Sequence, residues 1–437
     1  MTALLASAFA AVGQAVLRRR FHDVAGANES MLVGMGVCAA ALFPLSLALP
    51  RHALAVEGVG LLASLVLAVG ARLRRPRPGN PADRSAPDAV RRLLLAATAL
   101  VAVGFAALNF RYNYLWDGLV IWATKAQFLS HSGGLTREWF AGEPYDVRVL
   151  AYPPLVALFE SLLSLLRGAF DVDKLKPVFL VFYASMLVGT YSAARAVVSA
   201  RLASVAVLLV ALVPALSTRY AAGGYADMPQ AAVVAGVTAA AMERRRIALP
   251  WLIGGLTTVK AEGLVLAALA CTGVLLFLIL ESGRGWLRRI GAETRGAAIV
   301  AVFLALRTLY VRWIDAPVEV YDGSFSAALA RIPLVLRLCL EQLADPRAWG
   351  FFWAAFLLAA AAVFASGPNL ARSLAAIVAA SLAVMTVPFL VTTWPVALHL
   401  EQAYFRLAAQ VAPAAATVIV LGYAVVNARL TRAAVLR

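Results

Sequence analysis

An all-α, polytopic bundle of transmembrane helices, about 12–14 spans in all, is the fold class this sequence predicts. Three observations predict it. Of 437 residues, 62% are hydrophobic and only 14% charged, with a mean hydropathy of +0.82; soluble chains sit near 45–50% apolar and about 25% charged. The apolar stretches are long, rich in Ala and Leu, and lack period-2 alternation, so helices rather than a closed barrel satisfy the backbone in lipid. Most of the arginine lies in short clusters between the apolar stretches, the positive-inside pattern.

In chain order, the apolar runs fall at 2–17, 31–50, 53–71, 93–110, 153–167, 177–196, 202–217, 229–243, 247–260, 263–281, 296–311, 347–366, 373–391 and 408–425. The basic clusters orient them. Residues 72–92 hold Arg72, Arg74, Arg75, Arg77, Arg84, Arg91 and Arg92; residues 243–246 read Glu-Arg-Arg-Arg; Arg284, Arg288, Arg289 and Arg295 follow; the tail carries Arg429, Arg432 and Arg437. With all four clusters cytoplasmic, loops 111–152, 218–228, 260–262, 312–346 and 392–406 fall outside. Three runs (153–167, 177–196, 202–217) separate two outer loops that an even number should join. The short 153–167 run opens on Pro153-Pro154 and reads as a partial span or interfacial helix.

No internal repeat is visible, and residues 1–437 read as a single membrane domain. The net charge of +16 resides in these loop clusters, so the expected partner is membrane lipid and not nucleic acid. Cys38, Cys271 and Cys339 form no CxxC and read as small apolar residues. The N-terminus has no basic stretch before its first apolar run, so no cleaved signal peptide is expected.

Four polar segments carry the chemistry. Loop 111–152 is too long and polar for a mere connection. Within it Trp116–Leu129 reads as an interfacial helix with Trp116, Trp122 and Phe128 at the membrane–water boundary. Asp117, Ile121 and Lys125 recur every four residues on roughly one face. Asp117 is therefore either an interface carboxylate paired with Lys125 or a base placed to accept a hydroxyl proton. The second segment, STRYAAGGYADMPQ over 217–230, turns at Gly223-Gly224 and starts a helix at Asp227-Met228-Pro229. There Asp227 suits an N-cap, a role compatible with holding a substrate hydroxyl or a divalent cation.

In the third, Lys260 and Glu262 interrupt an apolar stretch from about 247 to 281, where each ionisable group costs about 2.5–3.5 kcal/mol on insertion scales. They sit either at an outer-surface turn or at a phosphate site. In the fourth, His399, Glu401 and Arg406 precede the last span, Arg406 standing either as a snorkelling side chain or as a phosphate ligand at headgroup level. His131 and His399 alone do not make a metal site.

In this order and sidedness, the segments resemble the GT-C class of membrane glycosyltransferases, which includes protein O-mannosyltransferases and lipid A aminoarabinose transferases. The resemblance rests on Asp117 to Lys125, Tyr152-Pro153-Pro154, Asp227 to Pro229, Gly254 to Gly263 with Lys260 and Glu262, and Arg406-Leu407. It covers 93–281 as a catalytic module, with a weaker match at 399–413 within the C-terminal helices 296–437. Where members often carry His-Pro, this chain has Leu150-Ala151; where many carry paired acids, Asp117 is followed by Gly118.

The resemblance implies an inverting sugar transfer from a polyprenyl phosphate-linked donor to a glycan, lipid or protein acceptor on the outer face. Asp117 and Asp227 would be catalytic, Asp227 with a divalent cation as one option. Lys125, Tyr152, Lys260, Glu262, His399 and Arg406 would contact substrate, Lys260 and Arg406 neutralising the phosphate. The two carboxyls are then expected within roughly 10–12 Å, leaving room for a hydroxyl or cation between them, as flanking carboxylates leave room for water. The alternatives are a transporter or flippase, which would place ionisable groups mid-membrane in repeated halves, and a surface-polysaccharide polymerase or ligase.

Overall fold

The computed structural model describes residues 1–17, 23–73, 88–137, 151–282, 294–315 and 324–435. Arg74, Arg75, Arg77, Arg84, Arg284, Arg288, Arg289 and Arg437 lie outside the described residues, as does 138–150 of the first loop. All regular structure among the described residues is helical. The helices are α1 (Thr2–Leu17), α2 (Val24–Ala48), α3 (Ala53–Leu73), α4 (Ala89–Arg111), α5 (Thr124–Ser132), α6 (Leu155–Arg167), α7 (Pro177–Arg195) and α8 (Ala200–Leu212). They continue with α9 (Asp227–Met242), α10 (Ala248–Leu256), α11 (Gly263–Ser282), α12 (Thr294–Ile314), α13 (Phe325–Ala344), α14 (Phe352–Ser366), α15 (Asn369–Val384) and α16 (Val396–Val435).

Among the described residues, seven segments are long and apolar enough to cross a membrane: α2, α4, α7 with the short turn before it, α11, α12, α15 with the short helix after it, and α16. Several of the expected 12–14 spans are shorter helices. The 16 residues of α1 reach about 24 Å at 1.5 Å per residue, against a hydrocarbon core of about 30 Å.

Capping residues set the starts: Asp23 accepts from the Gly26 amide at 2.7 Å at the head of α2, and Asp88 accepts from the Val90 and Arg91 amides at the head of α4. These side chains satisfy N–H groups that have no intrahelical acceptor.

The bundle has two chemically distinct ends. At one, Arg245 pairs with Glu29 at 2.7 Å, Arg244 with Glu281 at 3.1 Å and Arg201 with Asp88 at 2.9 Å, and Arg91 donates to the Tyr191 hydroxyl at 3.1 Å. At the other, the Leu54 amide bonds the Gly133 carbonyl, the Leu115 amide bonds that of Gly223, and Lys176 donates to the Tyr112 carbonyl. Asp117, Asp227, Lys260 and Arg406 gather at this second end.

The three-run parity problem has a geometric answer. The chain enters α6 where the Leu155 amide bonds the Thr258 carbonyl at 3.1 Å. Its far turn lies against Gly58, near the start of α3, and the chain then reaches Lys176 at the same end. At 13 residues α6 is about 20 Å long, and of the three runs it is the one after which the chain rejoins the end it left.

Three expectations are corrected. The stretch 312–346, read as an outer loop, contains the 20-residue α13. Arg331 and Arg337 lower its hydropathy, yet its apolar residues recur at helical spacing. Val335 and Cys339 are buried, and Arg331 and Gln342 bond the carbonyls of Leu390, Thr392 and Leu400. The loop expected at 392–406 is helical from Val396, so Glu401 and Arg406 ride on the 40-residue α16.

Third, the span expected at 247–260 is the nine-residue α10 followed by a non-α-helical turn over 257–262. Irregular backbone at this depth needs a partner for each carbonyl. The Arg307 guanidinium, from α12, bonds the Thr257 carbonyl at 2.8 Å and that of Lys260 at 3.1 Å, and Leu155 covers Thr258. Replacing Arg307 by Met should therefore lower stability by about 1–3 kcal/mol per orphaned carbonyl. The thermal unfolding midpoint in detergent measures it, and an unchanged midpoint would show that the 257–262 segment is held by other means.

Candidate functional site

Four segments distant in sequence build one charged cluster. Asp117 follows α4, just before a π-helical turn over Gly118–Ala123. Asp227 is the first residue of α9. Lys260 and Glu262 lie on the unwound 257–262 turn, and Arg406 stands ten residues into α16.

Backbone contact brings the first two together. A Cβ on Gly118 would stand 2.2 Å from the Gly223 carbonyl oxygen, and the Leu115 amide donates to that same oxygen at 2.9 Å. Glycine at 118 is thus the residue that lets the two loops touch. Gly224 holds φ +84° and faces the Tyr114 ring, which a Cβ would overlap at 2.3 Å; only glycine adopts this conformation without cost.

Arg406 joins the carboxylates. Its Nη2 donates to Asp117 Oδ2 at 2.7 Å and its Nε to Asp227 Oδ2 at 3.0 Å. The guanidinium lies over the Tyr225 ring, 4.0 Å from the centroid, a cation–π arrangement. Asp227 Oδ1 accepts from Lys260 Nζ at 2.8 Å and from Gln410 Nε2 at 2.7 Å. Lys260 also reaches Glu262 Oε1 at 3.2 Å. Burial opposes the charged ammonium of Lys260, but Asp227 and Glu262 outweigh it and hold its pKa above the ordinary lysine range.

The pairings correct several expectations. Asp227 does not cap α9: Ala226 is the N-cap residue and no side-chain cap bond is made. Its oxygens instead take three charged or amide partners, so the site reserved for a divalent cation is occupied by Lys260, Arg406 and Gln410. Among the described residues, no group of three His, Cys, Asp or Glu side chains could hold a metal ion. The space expected between the two carboxyls for a hydroxyl or cation is bridged by the Arg406 guanidinium.

Asp117 does not pair with Lys125. The Lys125 side chain is buried and donates to the Tyr152 carbonyl and, at 3.3 Å, to the Tyr310 hydroxyl. With Arg307 these groups form a second polar layer behind the 257–262 turn. Tyr152 sets its ring edge-on to Trp122. His399 lies seven residues before Arg406 on α16, about 10 Å along the axis, with Nδ1 2.8 Å from the Thr392 hydroxyl. The structure thus brings Asp117, Asp227, Lys260, Glu262 and Arg406 together, and leaves Lys125, Tyr152 and His399 outside their contacts.

Sequence reasoning missed Gln410, Tyr225, Arg307 and Tyr310. Gln410 was within reach, being four residues after Arg406 and so on the same helix face. Arg307 is a charge inside an apolar run, a functional candidate by that fact alone.

Two further features shape what the cluster can do. Within the cluster the carboxylates of Asp117, Asp227 and Glu262 face the cations of Lys260 and Arg406, with Lys125 and Arg307 in the layer behind. Buried hydrogen-bonding capacity is left over: among the described residues, both amide atoms of Gln230, Gln410 Oε1 and Glu262 Oε2 make no hydrogen bond. Asp117, with 22% of its side chain exposed against 9% for Asp227, is the more accessible of these two aspartates, and Glu262 is similarly open at 24%.

No family model, no curated protein and no solved structure matches this chain.

Replacing Arg406 by Gln leaves Asp227 and Asp117 short of their shared cation, and breaking a buried pair costs roughly 3–5 kcal/mol. Asp227→Asn alone should destabilise too, and the double variant by less than the sum, with a coupling of roughly 0.5–3 kcal/mol. Unfolding midpoints of the four proteins supply the cycle; strict additivity would mean that the contact carries no net energy.

Proposed function

We propose that this protein is a membrane glycosyltransferase of the GT-C type, moving a sugar from a polyprenyl phosphate-linked donor to an acceptor hydroxyl on the outer face of the membrane. The observation that carries the reading is the meeting of Asp117 and Asp227, 110 positions apart in the sequence, on one guanidinium beside Lys260. Supporting it are the orphaned amide and carboxylate atoms of Gln230, Gln410 and Glu262, which suit a ligand rich in hydroxyl groups. The cluster lies at the end opposite the arginine-rich loops, and the positive-inside rule turns that end outward.

In this reading Asp117 is the base. Oδ2 is bound to Arg406, and among the described residues no hydrogen bond reaches Oδ1. Oδ1 takes the acceptor hydroxyl proton as the acceptor oxygen bonds the anomeric carbon. The bond from that carbon to the phosphate oxygen breaks, and its electron pair leaves with polyprenyl phosphate. Asp227, with its three partners, holds Lys260 and Arg406 in place.

Because Arg406 is already engaged by both Asp117 and Asp227, the donor phosphate competes with Asp117 for that guanidinium. A cluster so fully self-paired also suits a transporter gate; the two readings part on whether the donor is consumed.

Two measurements test the proposal. Asp117→Asn preserves size but cannot accept the proton, so turnover with a polyprenyl phosphate-linked sugar should fall by at least about 10²-fold at normal protein level. Lys125→Met serves as the comparison, expected to act on stability more than on turnover. Wild-type turnover in the Asn variant would remove Asp117 as base, and absence of sugar transfer by the wild type across donors would favour transport. For orientation, a cysteine replacing exposed Lys174, in a background lacking the exposed Cys271, should react with an impermeant maleimide in intact cells. One replacing Arg432 should react only after permeabilisation. The reverse pattern would invert the orientation.

A further inference from the structure

One buried acid lies outside the charged cluster and has no part in the chemistry above. Glu160, five residues into α6, is fully buried. Its Oε1 accepts from the Tyr114 hydroxyl at 2.7 Å, and among the described residues its Oε2 makes no hydrogen bond. Burying a carboxyl is costly, and an apolar side chain would fill the same place more cheaply. The bond to Tyr114 is therefore the feature that a glutamate at this position supplies.

The helix that carries Glu160 is a firm base for it. The neighbouring Phe159 ring meets Phe9 of α1 edge-on at 5.2 Å and Phe182 of α7 at 5.9 Å. On the other side of Glu160 in the chain, the Ser161 hydroxyl donates to the Ala126 carbonyl of α5 at 2.9 Å. Glu160 thus belongs to a packed part of the bundle, whereas its partner does not. Tyr114 lies in the non-helical stretch 113–115, between the end of α4 and Asp117.

Tyr114 stands between the two loops that carry the carboxylates. A Cβ on Gly118 would come within 3.0 Å of its Cδ1, and a Cβ on Gly224 within 2.3 Å of the same atom. Gly118 follows Asp117 directly, and Gly224 precedes Tyr225, over whose ring the Arg406 guanidinium lies. Next to Tyr114, the Leu115 amide bonds the Gly223 carbonyl at 2.9 Å. The ring is a spacer that touches both loops, and Phe179 meets it edge-on at 6.0 Å. Its hydroxyl is the handle by which the rest of the bundle can fix where that spacer sits.

We propose that Glu160 is a positioning residue for the charged cluster: by holding the Tyr114 hydroxyl it sets how the Asp117 loop meets the 223–227 loop, and so where Asp117 stands relative to Asp227 and Arg406. Its effect on turnover rests on the sugar-transfer reading; its effect on the two loops does not. The acceptor oxygen is what matters, so an uncharged acceptor of the same shape serves equally well.

The test uses the full-length protein in detergent and compares Tyr114→Phe, Glu160→Gln and Glu160→Leu with the wild type. Tyr114→Phe removes the bond without changing the packing of the ring, so it decides the matter even where Glu160→Leu does not fold. The first readout is geometric. Spin labels on cysteines replacing exposed Trp116 and Thr218, in a background lacking Cys271, report the separation of the two loops by pulsed electron paramagnetic resonance. The distance distribution should broaden in Tyr114→Phe and Glu160→Leu and match the wild type in Glu160→Gln.

The second readout is turnover of a polyprenyl phosphate-linked sugar by the unlabelled proteins. Displacing the base should lower kcat by about tenfold or more in Tyr114→Phe and Glu160→Leu, with the donor KM changed much less. Glu160→Gln should retain kcat, and the double variant Tyr114→Phe/Glu160→Leu should be no slower than either single one. An unaltered distance distribution in Tyr114→Phe, a Glu160→Gln variant as disordered as Glu160→Leu, or losses of kcat that multiply in the double variant would overturn the proposal. Broadened distances with wild-type turnover would uphold the positioning and count instead against Asp117 as the base, so the two assignments fail separately.

Discussion

A single guanidinium, that of Arg406, ties together segments from distant parts of the chain. It spans 289 positions to reach Asp117 and 179 to reach Asp227, and it does so where water is scarce and an unpaired charge is expensive. Each of its partners is positioned in turn: Asp117 by the contact of Gly118 with Gly223, Asp227 by Gln410 and Lys260, and the guanidinium plane by the Tyr225 ring. Arginine suits this place because its planar fork presents two donors in fixed geometry and cannot be neutralised by burial at any ordinary pH.

The cluster also explains why the helix before it stops short. A continuous helix from Ala248 through Glu262 would turn Lys260 through successive steps of about 100° and spend its carbonyls along the axis. Ending α10 at Leu256 lets the chain carry Lys260 and Glu262 into the cluster and turns the Thr257 and Lys260 carbonyls toward Arg307. A charge buried in α12 thus serves as a cap for a helix in another part of the chain, and the cost of burying it is offset by two backbone acceptors that would otherwise be orphaned.

Much of the bundle was legible because lipid imposes a simple code. Long apolar runs became helices at nearly every expected place, and the lone acids and bases inside or beside them marked the segments that assemble. What escaped the code was amphipathic or three-dimensional. The helix α13 was hidden because Arg331 and Arg337 depress its hydropathy while leaving its period intact. The start of α16 was hidden for the same reason, His399, Glu401 and Arg406 falling on an otherwise helical stretch. The partner of Asp117 could not be read from spacing: the local choice, Lys125, is taken by the Tyr152 carbonyl, and the actual partner arrives from the far end of the chain. Gly118 looked like a departure from a family pattern and proved to be a steric requirement.

The π-helical turn between Asp117 and Lys125 has a consequence for how this region can vary. Such a turn closes i→i+5 hydrogen bonds and amounts to one residue more than an α-helical path would use; the Thr124 hydroxyl takes up the Leu119 carbonyl five residues back. Removing one residue from the middle of the turn would let it relax to an α-helix while leaving Asp117, Trp122 and Lys125 on nearly their present faces, because the wide turn absorbs that one extra residue. Composition is the tighter constraint at its first position: a side chain at 118 would collide with the Gly223 carbonyl oxygen and drive apart the two loops that carry the carboxylates.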